Sequence, residues 1–331
     1  MLKICIVGGG NLATVCAAFF AAQANNQVSV LTRQPASWST SPQAIDPEGH
    51  CFTGSLATVT DHAAAVIPDA DLVLLCLPGF AIEERLGVIC PHLRPETPVG
   101  AVVSSTGFFF FAHQLLPPSQ PLFGFQRVPF IARTDTYGHR AQLLGYKPLL
   151  HAALEHTPTH FADTLATLFH TPVCTLGSYL EASLTNSNPL LHTARLYDLF
   201  HDWDGTPFPQ PILFYEQWTL SASDLLLAMD VEFMNLTAHL GIGQEAIPSL
   251  LRYYESNDAA SLTHKLQSIG AFQGIVAPMQ PVSGGYVPDM NSRYFTEDFP
   301  FGLRFVRELL HLHQLPCPTI DRVYTWGTTT N

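Results

Sequence analysis

The sequence predicts an α/β amino-terminal domain over residues 1–177 and an all-α domain over residues 178–331. Three observations lead there. A buried-strand pattern, a glycine turn and an alanine-rich helix follow one another within the first 24 residues. Short apolar runs bounded by turn residues, typical of buried parallel strands, recur to about residue 153. From residue 178 the apolar pattern lengthens to helical periods. The size agrees, since 331 residues suit about two domains of ~100–200 residues each. With 47% hydrophobic and only 13% charged residues, the composition excludes a disordered chain. Fifteen basic against 27 acidic side chains give a formal net charge of −12. That argues against a general nucleic-acid binder and against an anionic membrane surface as partner. An anionic small molecule depends on local charge and stays open.

The first element is a strand, Leu2 to Val7, followed by Gly8-Gly9-Gly10-Asn11-Leu12-Ala13, a helix Leu12 to Ala24 and a second strand Val28 to Leu31. Residues 1–24 also resemble a secretory leader, but three consecutive glycines would interrupt its apolar stretch and Lys3 is a thin charged flank. A βαβ unit gives every part a purpose. The turn reads G-x-G-x-x-A. Gly8 permits the tight turn, Gly10 lets backbone approach a pyrophosphate, and Ala13 allows close helix–strand packing. The N–H groups at the helix start, with Asn11 and Leu12, then face the phosphates. The alternative is a merely glycine-rich turn, but its place between strand and helix favours a dinucleotide.

The end of the second strand selects among dinucleotides. NAD enzymes usually place an acid there for the ribose 2′-hydroxyl. Here Leu31-Thr32-Arg33-Gln34 offers none, and Arg33 suits a 2′-phosphate. NADP is favoured, with NAD the alternative if Arg33 is only a solvated loop residue. Thr32 and Arg33 are both expected at the cofactor.

Asp71 to Leu77 reads as the next strand, and Leu77-Pro78-Gly79-Phe80 continues it at the end where ligands bind, which places Leu77 and Pro78 at the cofactor. Pro98 to Val103 is another strand, ending in Ser104-Ser105-Thr106-Gly107, so Thr106 is expected near the nicotinamide. Phe108 to Phe111 is core or interdomain packing. Residues 122–133 and 146–153 read as extended segments that add to the sheet, partly antiparallel, with Tyr137-Gly138 between them. Gln126 and Arg127 are polar groups in an apolar strand. Gln126 is a candidate for substrate binding, and an edge-strand surface position is the alternative.

Helices are expected at Tyr179–His201, Ser221–Leu240, Pro248–Tyr254, Ala259–Ser268 and Leu303–His313, with breaks at 205–211, 278–288 and 298–302. The long apolar helix 221–240 serves either a core or a homodimer face. Two places carry chemistry. Asn188 and His192 are four apart and share a helix face, where an amide and an imidazole suit proton transfer. A solvent-facing histidine is the alternative. Arg293-Tyr294-Phe295-Thr296-Glu297-Asp298 places a bidentate cation and two acids in an aromatic setting. Asp298 either orients a histidine or caps the helix that follows, and taken alone the cap is the better reading. The seven cysteines are scattered and odd in number, so neither a disulfide framework nor a metal cluster is expected, and a reducing cytoplasm follows.

Taken together, the Gly8–Ala13 turn, Leu31-Thr32-Arg33, Asn188…His192 and Arg293–Asp298 resemble the opine dehydrogenases, the octopine/nopaline dehydrogenase family. The resemblance spans nearly the whole chain, and its last two motifs are the more specific. It implies a Rossmann domain followed by a helical domain like the carboxyl-terminal domain of 6-phosphogluconate dehydrogenase. It implies His192 as acid/base, Asp298 as its support and Arg293 as the ligand of a 2-oxo acid carboxylate. Asn188 would bind substrate or the nicotinamide ribose. The implied reaction condenses an amino acid with a 2-oxo acid and reduces the imine with NAD(P)H, substrate lying in a cleft between the domains. Two other readings are a direct 2-oxo acid reductase resembling ketopantoate reductase and a non-catalytic nucleotide sensor. The first usually relies on a lysine early in the helical domain, and none lies between Lys147 and Lys265. A sensor need not keep an acid/base pair.

Overall fold

The computed structural model describes residues 1–329, so the last two positions of the expected second domain lie outside the described residues. The chain divides into two compact units, Met1–Ser183 and Leu184–Asn331.

The first unit opens with β1 (Leu2–Val7), α1 (Asn11–Ala21) and β2 (Asn26–Leu31). Then come β3 (Gln43–Ile45), β4 (Cys51–Thr53), β5 (Thr58–Thr60), β6 (Leu72–Leu75), α2 (Gly79–Ile89), β7 (Val99–Ala101) and α3 (Phe108–Leu115). It continues through β8 (Leu122–Phe125), β9 (Phe130–Thr136), β10 (Arg140–Tyr146), β11 (Leu150–Glu155), α4 (Phe161–Phe169) and β12 (Val173–Thr175). The main sheet has eight strands in the order β12-β11-β8-β7-β6-β1-β2-β5. All its pairs are parallel except β11 with β8. The chain leaves β1 in one direction toward β2 and returns to pair β6 on its other side. That reversal opens a crevice at the carboxyl ends of β1 and β6, the place where such sheets bind ligands.

A second sheet, β4-β3-β10-β9, is inserted into this frame. It was not legible in the sequence, because β3 and β4 are three residues each. The expected segment 122–133 is two strands in two sheets, and so is 146–153. Pro129 and Pro148 sit at the breaks, where a missing N–H interrupts a ladder. Aromatic side chains join the layers: Phe19 of α1 meets Phe52 at 4.8 Å and Phe130 at 5.2 Å between ring centres. Phe108, Phe109 and Phe111 are core residues of this unit.

The expected helix 179–201 is broken into α5 (Tyr179–Leu184) and α6 (Asn188–Phe200). The cause is Asn186-Ser187-Asn188-Pro189. Asn186 Oδ1 accepts the Asn188 N–H at 3.2 Å in place of a helical carbonyl, and Pro189 fits only a first turn. Tyr179 of α5 packs on Phe109, Phe110 and His113, so most of this short helix belongs with the first unit.

The second unit contains α6, α7 (Leu220–His239), α8 (Leu250–Tyr253), α9 (Ala259–Ser268), β13 (Met279–Val282), β14 (Gly285–Pro288), α10 (Arg293–Thr296), α11 (Arg304–Leu312) and α12 (Pro318–Thr329). It is helical apart from the β13–β14 hairpin, which occupies a stretch expected only to be a break. Its spine, α7, starts at Thr219, whose hydroxyl caps the Ala222 N–H at 3.0 Å. Leu226, Met229, Phe233 and Leu236 of α7 are buried within the unit, so the apolar length of this helix serves a core. Buried Glu232 accepts the Thr319 and Ile320 N–H groups at 2.8 and 2.9 Å, closing the amino end of α12. No helix among the described residues is long and apolar enough to cross a membrane. All seven cysteines are free thiols.

Candidate active site

Two sites are built, one in each unit. The first lies at the crevice of the main sheet. Gly8 has φ +140°, and a Cβ there would meet the Cys76 carbonyl oxygen at 2.5 Å, so only glycine fits. A Cβ on Gly9 would strike the Tyr137 hydroxyl. A Cβ on Gly10 would enter open space, the cradle a pyrophosphate needs. Ala13 is fully buried against the sheet. The first N–H groups of α1 have no intrahelical partner and no acidic side chain in the first turn competes for them. This turn fits a dinucleotide.

A cavity of about 270 Å³ runs from this turn. Gly8, Gly10, Thr32, Arg33, Leu77 and Pro78 line it, as expected. Asn11, Leu12, Ala13 and Thr106 do not. The Asn11 side chain instead accepts the Thr134 N–H of β9 at 3.1 Å, which ties the turn to the inserted sheet. Thr106 reaches back to the Val103 carbonyl at 3.5 Å. Gln126, half-buried just past β8, donates its backbone N–H to His151 and does not line the cavity either. Phe80, from the loop expected at the ligand end, lines it too, and the cavity has walls that sequence reasoning missed: Glu84 and Arg85 of α2, and Tyr137 from the β9–β10 turn. Tyr137 places its hydroxyl 3.3 Å from Thr32 Oγ1 and its ring edge-on to Trp38. Strands of three residues hid the sheet that carries it.

The second site lies in the helical unit. His192, on the second turn of α6, places Nδ1 2.8 Å from Asp298 Oδ2. A carboxylate can only accept, so the proton of the neutral ring sits on Nδ1. Nε2 is then the acceptor, and the Tyr215 hydroxyl lies 3.0 Å from it. Side-chain exposure is 12% for His192 and 19% for Asp298, so the pair is shielded and still reachable. Asp298 makes no side-chain cap to the π-helical turn Phe299–Leu303 that follows. The capping role, the better reading from sequence alone, is not the one it takes.

Tyr215 is held from several sides. Its ring stacks on Phe272 at 4.1 Å and on Trp218 at 6.2 Å. Burial raises its hydroxyl pKa well above the ordinary range, and Tyr294, Tyr254 and Asp298 push the same way, so it stays protonated. Burial and Asp298 also raise Tyr294, whose ring lies 4.7 Å from that of His192. The Phe214–Gln217 segment is fixed by Arg195, fully buried and three residues beyond His192. Arg195 donates to the Phe214 carbonyl at 2.9 Å, to the Gln217 carbonyl and to Asp198 at 2.8 Å. Burial lowers its pKa to about 10, which leaves it charged. Nothing in the local sequence distinguished Tyr215 from its aromatic neighbours or Arg195 from a solvated helix residue.

The structure brings His192 and Asp298 together. It leaves Asn188 exposed at the start of the same helix and Arg293 exposed at the start of α10, with no ion pair for that guanidinium among the described residues. Two other groupings have ligand atoms within 4.8 Å of one another, His311-Cys317-Asp321 and Asp46-Glu48-His50. In both the central acid is already engaged, Asp321 by Arg307 at 2.6 Å and Asp46 by His50 at 3.0 Å.

Residues 175–331 match the family model described as NAD/NADP octopine/nopaline dehydrogenase, alpha-helical domain. Octopine dehydrogenase of Mizuhopecten yessoensis is 26% identical over 98% of this chain and 89% of its own length. Tauropine dehydrogenase of Arabella iricolor is 27% identical over 99% and 91%. Over its helical half, and at lower identity over nearly its whole length, the chain is similar to the opine dehydrogenases. Residues 4–103, within the first unit, also match the ketopantoate reductase PanE/ApbA model. A solved octopine dehydrogenase with NADH and L-arginine shares the fold at TM-score 0.88 and 24% identity, over all of this chain and 89% of that one. A solved yersinopine dehydrogenase with NADP+ follows at 0.74 and 14%, over 99% and 90%.

Proposed function

We propose that the protein is an NAD(P)H-dependent opine dehydrogenase that joins an amino acid to a 2-oxo acid and reduces the resulting imine, with NADPH the favoured donor. The reading rests on one observation above the rest: a shielded His192–Asp298 pair in a helical unit that matches this family's model. When bound, the reduced nicotinamide supplies the hydride. In the first unit, Gly8 and Gly10 shape the turn that receives the pyrophosphate, and Thr32, Arg33, Leu77 and Pro78 flank the adenosine end.

In the second unit, His192 Nε2 takes a proton from the amino acid's ammonium group and so frees the amine to attack the carbonyl. A second proton passes from the amine nitrogen to the carbonyl oxygen, and Nε2 returns the first to the resulting hydroxyl, which leaves as water. Asp298 accepts from Nδ1–H throughout, fixes the tautomer and offsets the charge of the imidazolium. Tyr215 donates to Nε2 in the resting site and yields that place to the substrate, because Nε2 has a single lone pair. Arg293, with no ion pair among the described residues, holds the 2-oxo acid carboxylate in a two-pronged grip. Asn188 lies one turn before His192 for a hydrogen bond to substrate or to the nicotinamide ribose. The free thiols support a reducing cytoplasm, where such a cofactor pool is kept.

A second reading has one observation in its favour, the ketopantoate reductase match over residues 4–103. It would reduce a 2-oxo acid directly to a hydroxy acid. That match covers only the nucleotide half, and the stretch between Lys147 and Lys265 holds no lysine. The test is loss of reduced-nicotinamide absorbance, with NADPH and NADH separately, against 2-oxo acids with and without pooled amino acids. Oxidation that needs both organic partners is the expected result. Oxidation with the 2-oxo acid alone would move the protein to the keto-reductases.

A further inference from the structure

We infer that Arg85, on α2, forms with Arg33 a subsite for the 2′-phosphate of NADP(H), an assignment that rests on the dinucleotide reading above and adds its second cation. The argument starts from position. The crevice at the ends of β1 and β6 fixes the pyrophosphate at Gly8–Gly10, and the ribose then falls at the end of β2. There the chain offers Thr32, Arg33 and Gln34, with no acid to bind a free 2′-hydroxyl. Phe80, Ala81, Glu84 and Arg85 line the same cavity. Spacings of four put Phe80 with Glu84, and Ala81 with Arg85, on the cavity side of the helix.

Arg85 is the unusual member. Its side chain is 17% exposed, yet among the described residues its one charged partner is Glu84, at 2.7 Å. Glu84 is itself 61% exposed and adjacent in sequence, which makes it a weak, solvent-screened partner. A guanidinium has five N–H donors in a fork. One goes to Glu84, and among the described residues this side chain makes no other hydrogen bond. A mostly covered arginine that lines the cavity, with donors to spare, suits a phosphate with three acceptor oxygens. Arg33, exposed and lining the same cavity, supplies the other positive charge. Phe80, 56% exposed, offers an aromatic face for the adenine. Glu84 opposes a dianion here and lowers the affinity that Arg85 would otherwise give.

The test separates this subsite from turnover. Binding of 2′,5′-ADP and of 5′-AMP to the full chain is measured by titration calorimetry, since the two probes differ only in the 2′-phosphate. The wild-type chain should bind 2′,5′-ADP the more tightly. Arg85→Met keeps the apolar stem and should weaken 2′,5′-ADP about 10- to 100-fold, the loss expected for charge-assisted hydrogen bonds, with 5′-AMP changed less than about twofold. Glu84→Gln, on an exposed side chain, should tighten 2′,5′-ADP and leave 5′-AMP alone. Unchanged 2′,5′-ADP affinity in Arg85→Met, with a loss confined to Arg33→Met, would overturn the role of Arg85 while NADP use stands. Should Arg85→Met fail to fold, Glu84→Gln decides, and no gain there counts against the assignment. Equal affinity of the wild-type chain for both probes would overturn the subsite, even if NADH is oxidised with both organic partners present and the reductase reading survives.

Discussion

Asp230 offers a sharp test of the packing that carries the second site. It lies on α7, the spine of the helical unit, and is 5% exposed. Oδ2 accepts the Leu250 N–H at 2.9 Å, and Oδ1 has no hydrogen-bond partner among the described residues. Burial outweighs the single N–H and raises the carboxyl pKa from 3.8 to about 6. Between those two values the folded chain holds a proton that the unfolded chain has released. Stability therefore falls as pH rises through the window, and the cost is complete above about pH 6. The gap of about 2 pH units, at ~1.4 kcal/mol each, amounts to about 3 kcal/mol. Asp230→Asn stays neutral and keeps an acceptor for Leu250. It should be about 2–3 kcal/mol more stable than the wild type at pH 7.5 and indistinguishable at pH 4. Urea unfolding followed by tryptophan fluorescence suits this, because three of the four tryptophans, Trp203, Trp218 and Trp326, lie in the second unit. Other acids titrate in both proteins, so the difference between them is the readout. A constant difference from pH 4 to 7.5, or a less stable variant at pH 7.5, would refute the reasoning.

Three further predictions concern the sites. His192→Ala should lower kcat by about 10²–10⁴, the usual contribution of a positioned acid/base, with dinucleotide affinity unchanged in calorimetry; equal loss of both would indicate a folding role. Tyr215→Phe keeps the stacking on Phe272 and Trp218 and removes only the hydroxyl at Nε2, so kcat should drop about tenfold while the unfolding midpoint moves by no more than about 1 kcal/mol. Gly8→Ala forces a side chain into φ +140° and against the Cys76 carbonyl, and should abolish nucleotide binding and cost about 1–3 kcal/mol in unfolding free energy.

The nucleotide turn was legible because its physics is local. A positive φ, a close approach and a buried small residue each demand a residue type at a fixed spacing, and Gly8, Gly10 and Ala13 meet them. The pair at the second site is not local. His192 and Asp298 are 106 positions apart, and spacing alone favoured a cap for Asp298, so family resemblance and not geometry pointed to their meeting. Tyr215 was one aromatic among several, and only the fold reveals that Arg195 holds its segment beneath the histidine. Tyr137 was hidden because the inserted sheet is made partly of three-residue strands, too short to show a period. Arg85 reads in sequence as one of several charges on a helix, and only the fold shows that it lines the same cavity as the end of β2.

The central claim is that one active site joins two organic partners through nitrogen and reduces the bond it has made. The most direct measurement is mass spectrometry of the product formed with nicotinamide-deuterated NADPH, a 2-oxo acid and the amino acid that supports oxidation. The account predicts a secondary amine with the mass of both partners less one water plus hydride and proton, carrying a single deuterium on the carbon that was the carbonyl. A deuterated hydroxy acid, with the amino acid recovered intact, would contradict it.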